Sequence, residues 1–204
     1  DCKSITINGN VIQSISSKDG ACIGGAAGGS VGSITISDAE LPLLSSEKVL
    51  IGWDADSPGG KLTIRNCRVE STDIPTTRTD GIRVGSNSEL VIEESEIRLP
   101  HYRSIRVGGN GSIAVRDSYL RTYGIFMDET VQSPNDAKTL KKLEITDSTV
   151  LTGYTIGAIG QYASVDEIAI HGSSIRLNEE YTYNRCTIGG GEQASFGSID
   201  IQDS

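Results

Sequence analysis

Arg83 and Arg106 are the residues of this chain best suited to recognition chemistry. A guanidinium presents five N–H donors in a rigid fork that matches a carboxylate, and it stacks on aromatic rings. Phe126, Tyr102 and Trp53 fall near the two arginines once the chain is arranged in the repeat described below. Together the five could grip an acidic sugar or a carboxylate-bearing protein segment. The arginines are expected side by side on adjacent coils, with Leu50 and Phe126 beyond them. Like charges directly opposite one another are unfavourable, so an acid such as Asp80 or Asp128 should lie close by. In the plainer reading, these acids neutralise the pair and the aromatics cover the core.

Catalytic groups are sparse by comparison. His101 and His171 fall in different coils, so no shared metal is expected, and no cofactor or metal site is predicted. Asp54 and Asp56, with Glu129 and Asp136, could hold a weakly bound cation, although loop acids are usually just solvated. No GxSxG motif marks a nucleophile elbow. The four cysteines include no CxxC pair of the kind zinc sites use. Cys67 and Cys186 are expected to face inward four coils apart, beyond disulfide reach. Cys2 and Cys22 share the first coil and are expected to point outward, where a bridge could form.

The element that positions all of these is an internal repeat. A segment of the form apolar, x, apolar, x, turn, small, x, apolar recurs from Ile5, Ile34, Leu62, Leu90, Ile113, Leu143 and Ile168, and an eighth copy begins at Ile199. The steps are 29, 28, 28, 23, 30, 25 and 31 residues. Alternation with period two marks strands with one buried face. The fifth position (Gly9, Asp38, Asn66, Glu94, Asp117, Asp147, Gly172, Asp203) is mostly of types that accept a left-handed bend. The sixth is nearly always small, as a position stacked on its own copies requires. A third strand per unit ends where an apolar residue precedes Gly or Asp, as at Ile51-Gly52 and Val107-Gly108. Three strands with their corners make one coil. Seven coils at a strand spacing of about 4.8 Å would form a column roughly 34 Å long.

This pattern resembles the right-handed parallel β-helix of pectate-lyase-type proteins and bacterial adhesins. The resemblance covers essentially the whole chain and implies a secreted or surface-exposed, bacterial protein; right-handedness also follows the general rule for parallel crossovers. The Gly-rich stretches at 21–38 and 186–203 are similar to coils of large surface proteins of Gram-positive bacteria. Arg78-Thr79-Asp80-Gly81-Ile82 is similar to the TDGI stretch of polygalacturonases, whose inverting mechanism needs carboxylates on successive coils. The next coil carries His101, Tyr102 and Arg103 where that family has a double aspartate, and its Gly-His-Gly and Arg-Ile-Lys motifs are missing.

Composition narrows the function classes. The 204 residues carry a formal charge of −9 with no basic run, which excludes a nucleic-acid footprint. No apolar run approaches the roughly 18 residues of a membrane span. With 36% hydrophobic residues the core should be thin and extended. The chain enters a strand within about four residues and ends inside a coil, which predicts an uncapped stretch, 1–204, excised from a longer protein with flanking domains.

The expectation is therefore an all-β, right-handed, single-stranded parallel β-helix of about seven three-strand coils. It would serve as a non-catalytic extracellular module, acting as a spacer or as an adhesive face for an acidic glycan or host surface protein. The alternatives are a fragment of a carbohydrate-active enzyme, with Asp80 its one attractive carboxylate, and a binding domain joined to an enzyme elsewhere in the polypeptide.

Overall fold

A computed structural model describes residues 2–9, 11–25, 29, 31–53, 60–71, 79–99, 103–128, 138–159, 162–178, 188–189 and 195–204. Within them the chain is a parallel β-solenoid of about six turns, without helix. Strands are numbered in chain order. Sheet A stacks β1 (Cys2–Asn8), β4 (Val31–Ser37), β8 (Lys61–Arg65), β11 (Glu89–Glu93), β14 (Ser112–Arg116), β18 (Lys142–Thr146), β21 (Ser164–His171) and β24 (Phe196–Gln202), with β17 (Thr139–Leu140) beside β21. Sheet B stacks β5 (Glu40–Leu41), β9 (Arg68–Glu70), β12 (Glu96–Arg98), β15 (Tyr119–Thr122), β19 (Thr149–Thr152) and β22 (Ser174–Leu177). Sheet C stacks β3 (Ile23–Gly24), β7 (Val49–Gly52), β10 (Thr79–Val84), β13 (Arg103–Val107), β16 (Ile125–Asp128), β20 (Ile156–Ile159) and β23 (Ile188–Gly189). A short pair, β2 (Ile15–Ser17) and β6 (Leu44–Ser46), completes the early coils.

The coil count is about six rather than seven because sheet B has six rungs. The first coil reaches that sheet only as an isolated bridge between Val11 and Glu40, and the last contributes β24. Register in sheet A follows the repeat: Ile5, Ile34, Leu62, Leu90, Ile113, Leu143, Ile168 and Ile199 form one ladder. Interior members of these ladders are fully buried and join one apolar cluster. No single coil could bury such a face alone, so stacking supplies the hydrophobic stabilisation, about 25 cal/mol per Å² of apolar surface covered.

The corner between sheets A and B is the most regular feature. Asp38, Asn66, Glu94, Asp117, Asp147 and Asp203 all adopt φ between 49° and 53°, a left-handed bend in which carboxylate and amide side chains are the better-tolerated ones. The small residue that follows is a hydrogen-bonding relay. The hydroxyl of Ser118 donates to the Arg116 carbonyl at 2.6 Å and accepts the backbone N–H of Ser95 at 3.1 Å. Ser95 does the same for Cys67, Ser148 for Ser118, Ser173 for Ser148 and Ser204 for Ser173. Serine is selected here because it is small enough to stack and because its one hydroxyl serves both groups. Cys67 occupies the same position with its thiol donating to the Arg65 carbonyl at 3.0 Å, and burial pushes that thiol's pKa up.

Replacing Ser118 by Ala leaves the Ser95 N–H buried without an acceptor, so the unfolding free energy should fall by about 1–3 kcal/mol. Ser118→Cys should cost less, because Cys67 already shows that a thiol fits. Urea denaturation of the two variants reads the difference, and equal losses would remove the hydroxyl's role as relay.

Candidate functional site

The geometry centres on Asp80. Along a regular strand, residues i and i+3 point to opposite faces, yet the Asp80 carboxylate and the Arg83 guanidinium meet at 2.9 Å. A β-bulge makes this possible. Between β10 and β13 the pairing passes from Asp80↔Ser104 to Ile82↔Ile105, which leaves Gly81 as the extra residue. The bulge re-aims Asp80 so that its Oδ2 accepts from Arg83 and its Oδ1 from Arg106, each at 2.9 Å. Arg83 and Arg106 stand opposite each other as the sequence predicts. Asp80, named there as an acid able to separate them, does so with its side chain 4% exposed and each arginine's 20% exposed.

Aromatic groups back this pair. The Arg106 guanidinium lies 5.7 Å from the centroid of the Phe126 ring, a cation–π contact worth about 0.5–2 kcal/mol. Phe126 is next to Arg106 in the ladder. Its ring is only 2% exposed and packs edge-on against Tyr154. Tyr154 in turn stacks on Tyr123 with centroids 5.0 Å apart. Phe126 therefore buttresses Arg106 from below and offers no open face to a ligand, and half-buried Tyr154 is the accessible aromatic of the group.

The register of sheet C corrects the outward column. Gly24, Gly52, Arg83, Arg106, Phe126, Gly157 and Gly189 form one ladder. Leu50, expected beside Arg83, is fully buried and Gly52 takes its place. Trp53, expected as a surface aromatic, is also fully buried and belongs to the core cluster. Its backbone N–H donates to the Arg83 carbonyl at 3.0 Å, so it supports the strand that carries Arg83 from within. Tyr102 lies outside the described residues, as do His101, Asp54, Asp56, Glu129, Asp136 and Cys186; the Asp128 side chain does too.

Arg103 is the residue that the sequence reading missed. It is wholly buried, donating to the Ser46 carbonyl at 2.6 Å and to the Asp80 carbonyl at 3.4 Å. It ties β6, β10 and β13 together at the base of the cluster. Nothing in the local sequence sets it apart from the partly exposed Arg106, because a backbone carbonyl as partner leaves no charge pattern to find.

The remaining charges of the outer face are largely satisfied among themselves. On sheet A an ion-pair chain runs Glu93–Arg116–Glu144–Lys142–Glu167 with separations of 2.9 to 3.2 Å. On sheet B the arginines pair along their own strands, Arg68 with Glu70 and Arg98 with Glu96. In the ladder Glu40 and Glu96 flank Arg68, and Glu70 stands opposite Arg98. A polar groove of about 550 Å³ follows the corner between sheets A and B, lined by Asp38, Asn66, Glu94 and Asp117 with Arg68 and Tyr119. No cluster of three metal-ligating side chains occurs among the described residues. The possible Cys2–Cys22 bridge does not form: the Cys22 thiol donates to the Ser45 carbonyl and the Cys2 thiol to that of Ser4.

Glu144 gives this face a pH dependence. Burial by itself raises its pKa, but the hydrogen bonds and charges of Arg116 and Lys142 outweigh it and hold the carboxyl below the ordinary value. The resulting stabilisation is present in full above the pKa of an unfolded glutamate and is lost as pH falls through the lower, folded value. Melting temperatures between pH 7 and pH 3 should therefore fall less steeply for Glu144→Gln than for the native chain. Parallel curves would remove Glu144 from the account.

No helix among the described residues is long and apolar enough to cross a membrane. Compared with known proteins, the chain matches no family model, no curated protein and no solved structure.

Proposed function

We propose that this chain is a non-catalytic extracellular surface module, a rigid solenoid spacer whose sheet C face binds an acidic glycan or a carboxylate-bearing protein segment through Arg83 and Arg106. The observation that carries this reading is the double clamp on Asp80. One carboxylate holds two guanidinium groups in fixed positions, each partly exposed, with Phe126 stacked behind one of them. Two pre-set forks cost a ligand little ordering entropy, which favours recognition of planar anions.

The same clamp weighs against the rival reading, a fragment of a carbohydrate-active enzyme. A general acid must deliver a proton to a substrate oxygen within hydrogen-bond reach, and Asp80 is buried with both its oxygens engaged by arginine.

The test is binding to a panel of acidic and neutral glycans at two salt concentrations, comparing the native chain with Arg106→Lys. Lysine keeps a positive charge beside Asp80, so the fold survives, but it loses the fork. Salt-sensitive binding of acidic sugars that the variant loses at least 10-fold is the expected result. Equal binding by both forms, or none by either, would remove the glycan site and leave the spacer.

A further inference from the structure

The first and last Gly-rich stretches of the chain share a sequence pattern. Residues 21–38 and 186–203 align without a gap and are identical at 9 of 18 positions, including Ile23-Gly24-Gly25 with Ile188-Gly189-Gly190 and Ser33-Ile34 with Ser198-Ile199. Generic coil patterning would require only the apolar positions to agree. Gly32 and Gly197 agree as well, in a column that Gly60 and Gly111 also occupy, and the structure shows why this position favours glycine. A Cβ on Gly32 would lie 2.6 Å from the Lys3 carbonyl oxygen, and one on Gly197 would lie 2.0 Å from that of Asp166.

The equivalence extends to the strand below each. β1 pairs with β4 through Cys2↔Val31, Ser4↔Ser33 and Ile5↔Ile34, and β21 pairs with β24 through Val165↔Phe196, Glu167↔Ser198 and Ile168↔Ile199. Among the eight corner residues of sheet A, only those after β1 and β21 are glycine, Gly9 and Gly172. Each donates its N–H to the residue that ends the next strand, Ser37 or Gln202, at 3.0 Å. Asp38 and Asp203 then turn with the same φ of 53°. In sequence, 163 residues separate Ile5 from Ile168 and 165 separate Ile34 from Ile199.

One difference remains. On its far side β4 is covered by β8, and Val31, Ile34 and Ile36 are at most 2% exposed. The equivalent Phe196, Ile199 and Ile201 of β24 are 45–50% exposed. Backbone demands differ in the same way: the Asp38 N–H donates to the Arg65 carbonyl of β8, and Asp203 presents the same group at the corresponding edge.

We propose that the outer edge of β24 is a docking surface for one kind of partner, a coil of the type formed by residues 39–71, as a superrepeat six coils and about 165 residues long requires. β24 stands to that coil as β4 stands to β8. The arriving strand follows the pattern of Lys61–Arg65, setting apolar residues beneath Ile199 and Ile201 and a carbonyl acceptor at the Asp203 N–H.

The test lengthens the chain at its C-terminus. In one form Ser204 is followed directly by residues 40–204, the junction that the equivalence of Ser204 with Ala39 dictates. In a second, Ser204 is followed by residues 11–204, which treats β24 as equivalent to β1. A third begins the added segment at residue 41, slipping the register by one residue and turning its apolar set outward. Hydrogen exchange is read at the backbone amides of residues 199–203.

The first form should slow the outward-facing amides there by about 100-fold or more relative to the native chain, to the level of residues 34–38, and unfold in one transition. The slipped form should give no such protection, and the second less than the first. Unchanged exchange in the first form, whether its added segment folds apart or not at all, would overturn the docking surface. Equal protection in the first and second forms would overturn the six-coil period.

Discussion

Replacing Asp80 by Ala is expected to lower the unfolding free energy by about 3–5 kcal/mol, the cost of removing one partner from a buried ion pair and leaving the other charge behind. Two arginines lose their counter-charge at once, and both are four-fifths covered by protein. Asp80→Asn should cost less but is not silent. The amide oxygen can still accept from one guanidinium, while its NH₂ faces the other. Asn at this position should abolish any cleavage on the enzyme reading and leave a plain spacer unchanged; the clamp alters the second expectation, because the same substitution now also weakens the fold. Chemical denaturation of the native chain, D80N and D80A gives the ranking. A D80A chain as stable as the native one would mean that the arginines do not depend on Asp80, and the pre-set fork would lose its basis.

Gly52→Ala should be at least as damaging. Gly52 adopts φ +123°, and a Cβ built on it would sit 1.7 Å from the Arg83 backbone oxygen on the next coil. No rotamer relieves that contact, because the obstacle is a carbonyl that the sheet holds in place. The loss should reach about 4 kcal/mol or more, in the range reserved for strain at special backbone positions. Because the clash falls on Arg83, the variant should also disturb the Asp80 cluster. A melting temperature within a degree or two of native would show that the rung shifts freely, and the rigidity assigned to this face would be wrong.

These two sites mark where reading the sequence reaches its limit. The repeat was legible because stacking applies the same requirement at every coil. An apolar residue must face in, the corner must accept a left-handed bend, and the residue after it must be small. Ile34, Asp117 and Ser118 each meet one of those requirements, and their columns align throughout the structure. The opposition of Arg83 and Arg106 was legible for the same reason.

What only the tertiary structure decided lies where the chain departs from strict alternation. The bulge at Gly81 turns Asp80 onto the face of the arginines, and no period-two pattern shows an inserted residue. β3, β7 and β23 of sheet C end in glycine, and the ladder sets Gly52 rather than Leu50 beside Arg83. Trp53, Phe126 and Arg103 are buried by chain segments distant in sequence. A side chain's direction follows from its own strand, but whether anything covers it depends on the neighbouring coils and their connections. The amino-acid sequence by itself thus determined the coil, its corners and the facing arginines, because those follow from a local rule repeated in every turn. Tertiary structure decided which residues of the candidate site are support and which are surface, because exposure depends on contacts between segments that no local pattern encodes.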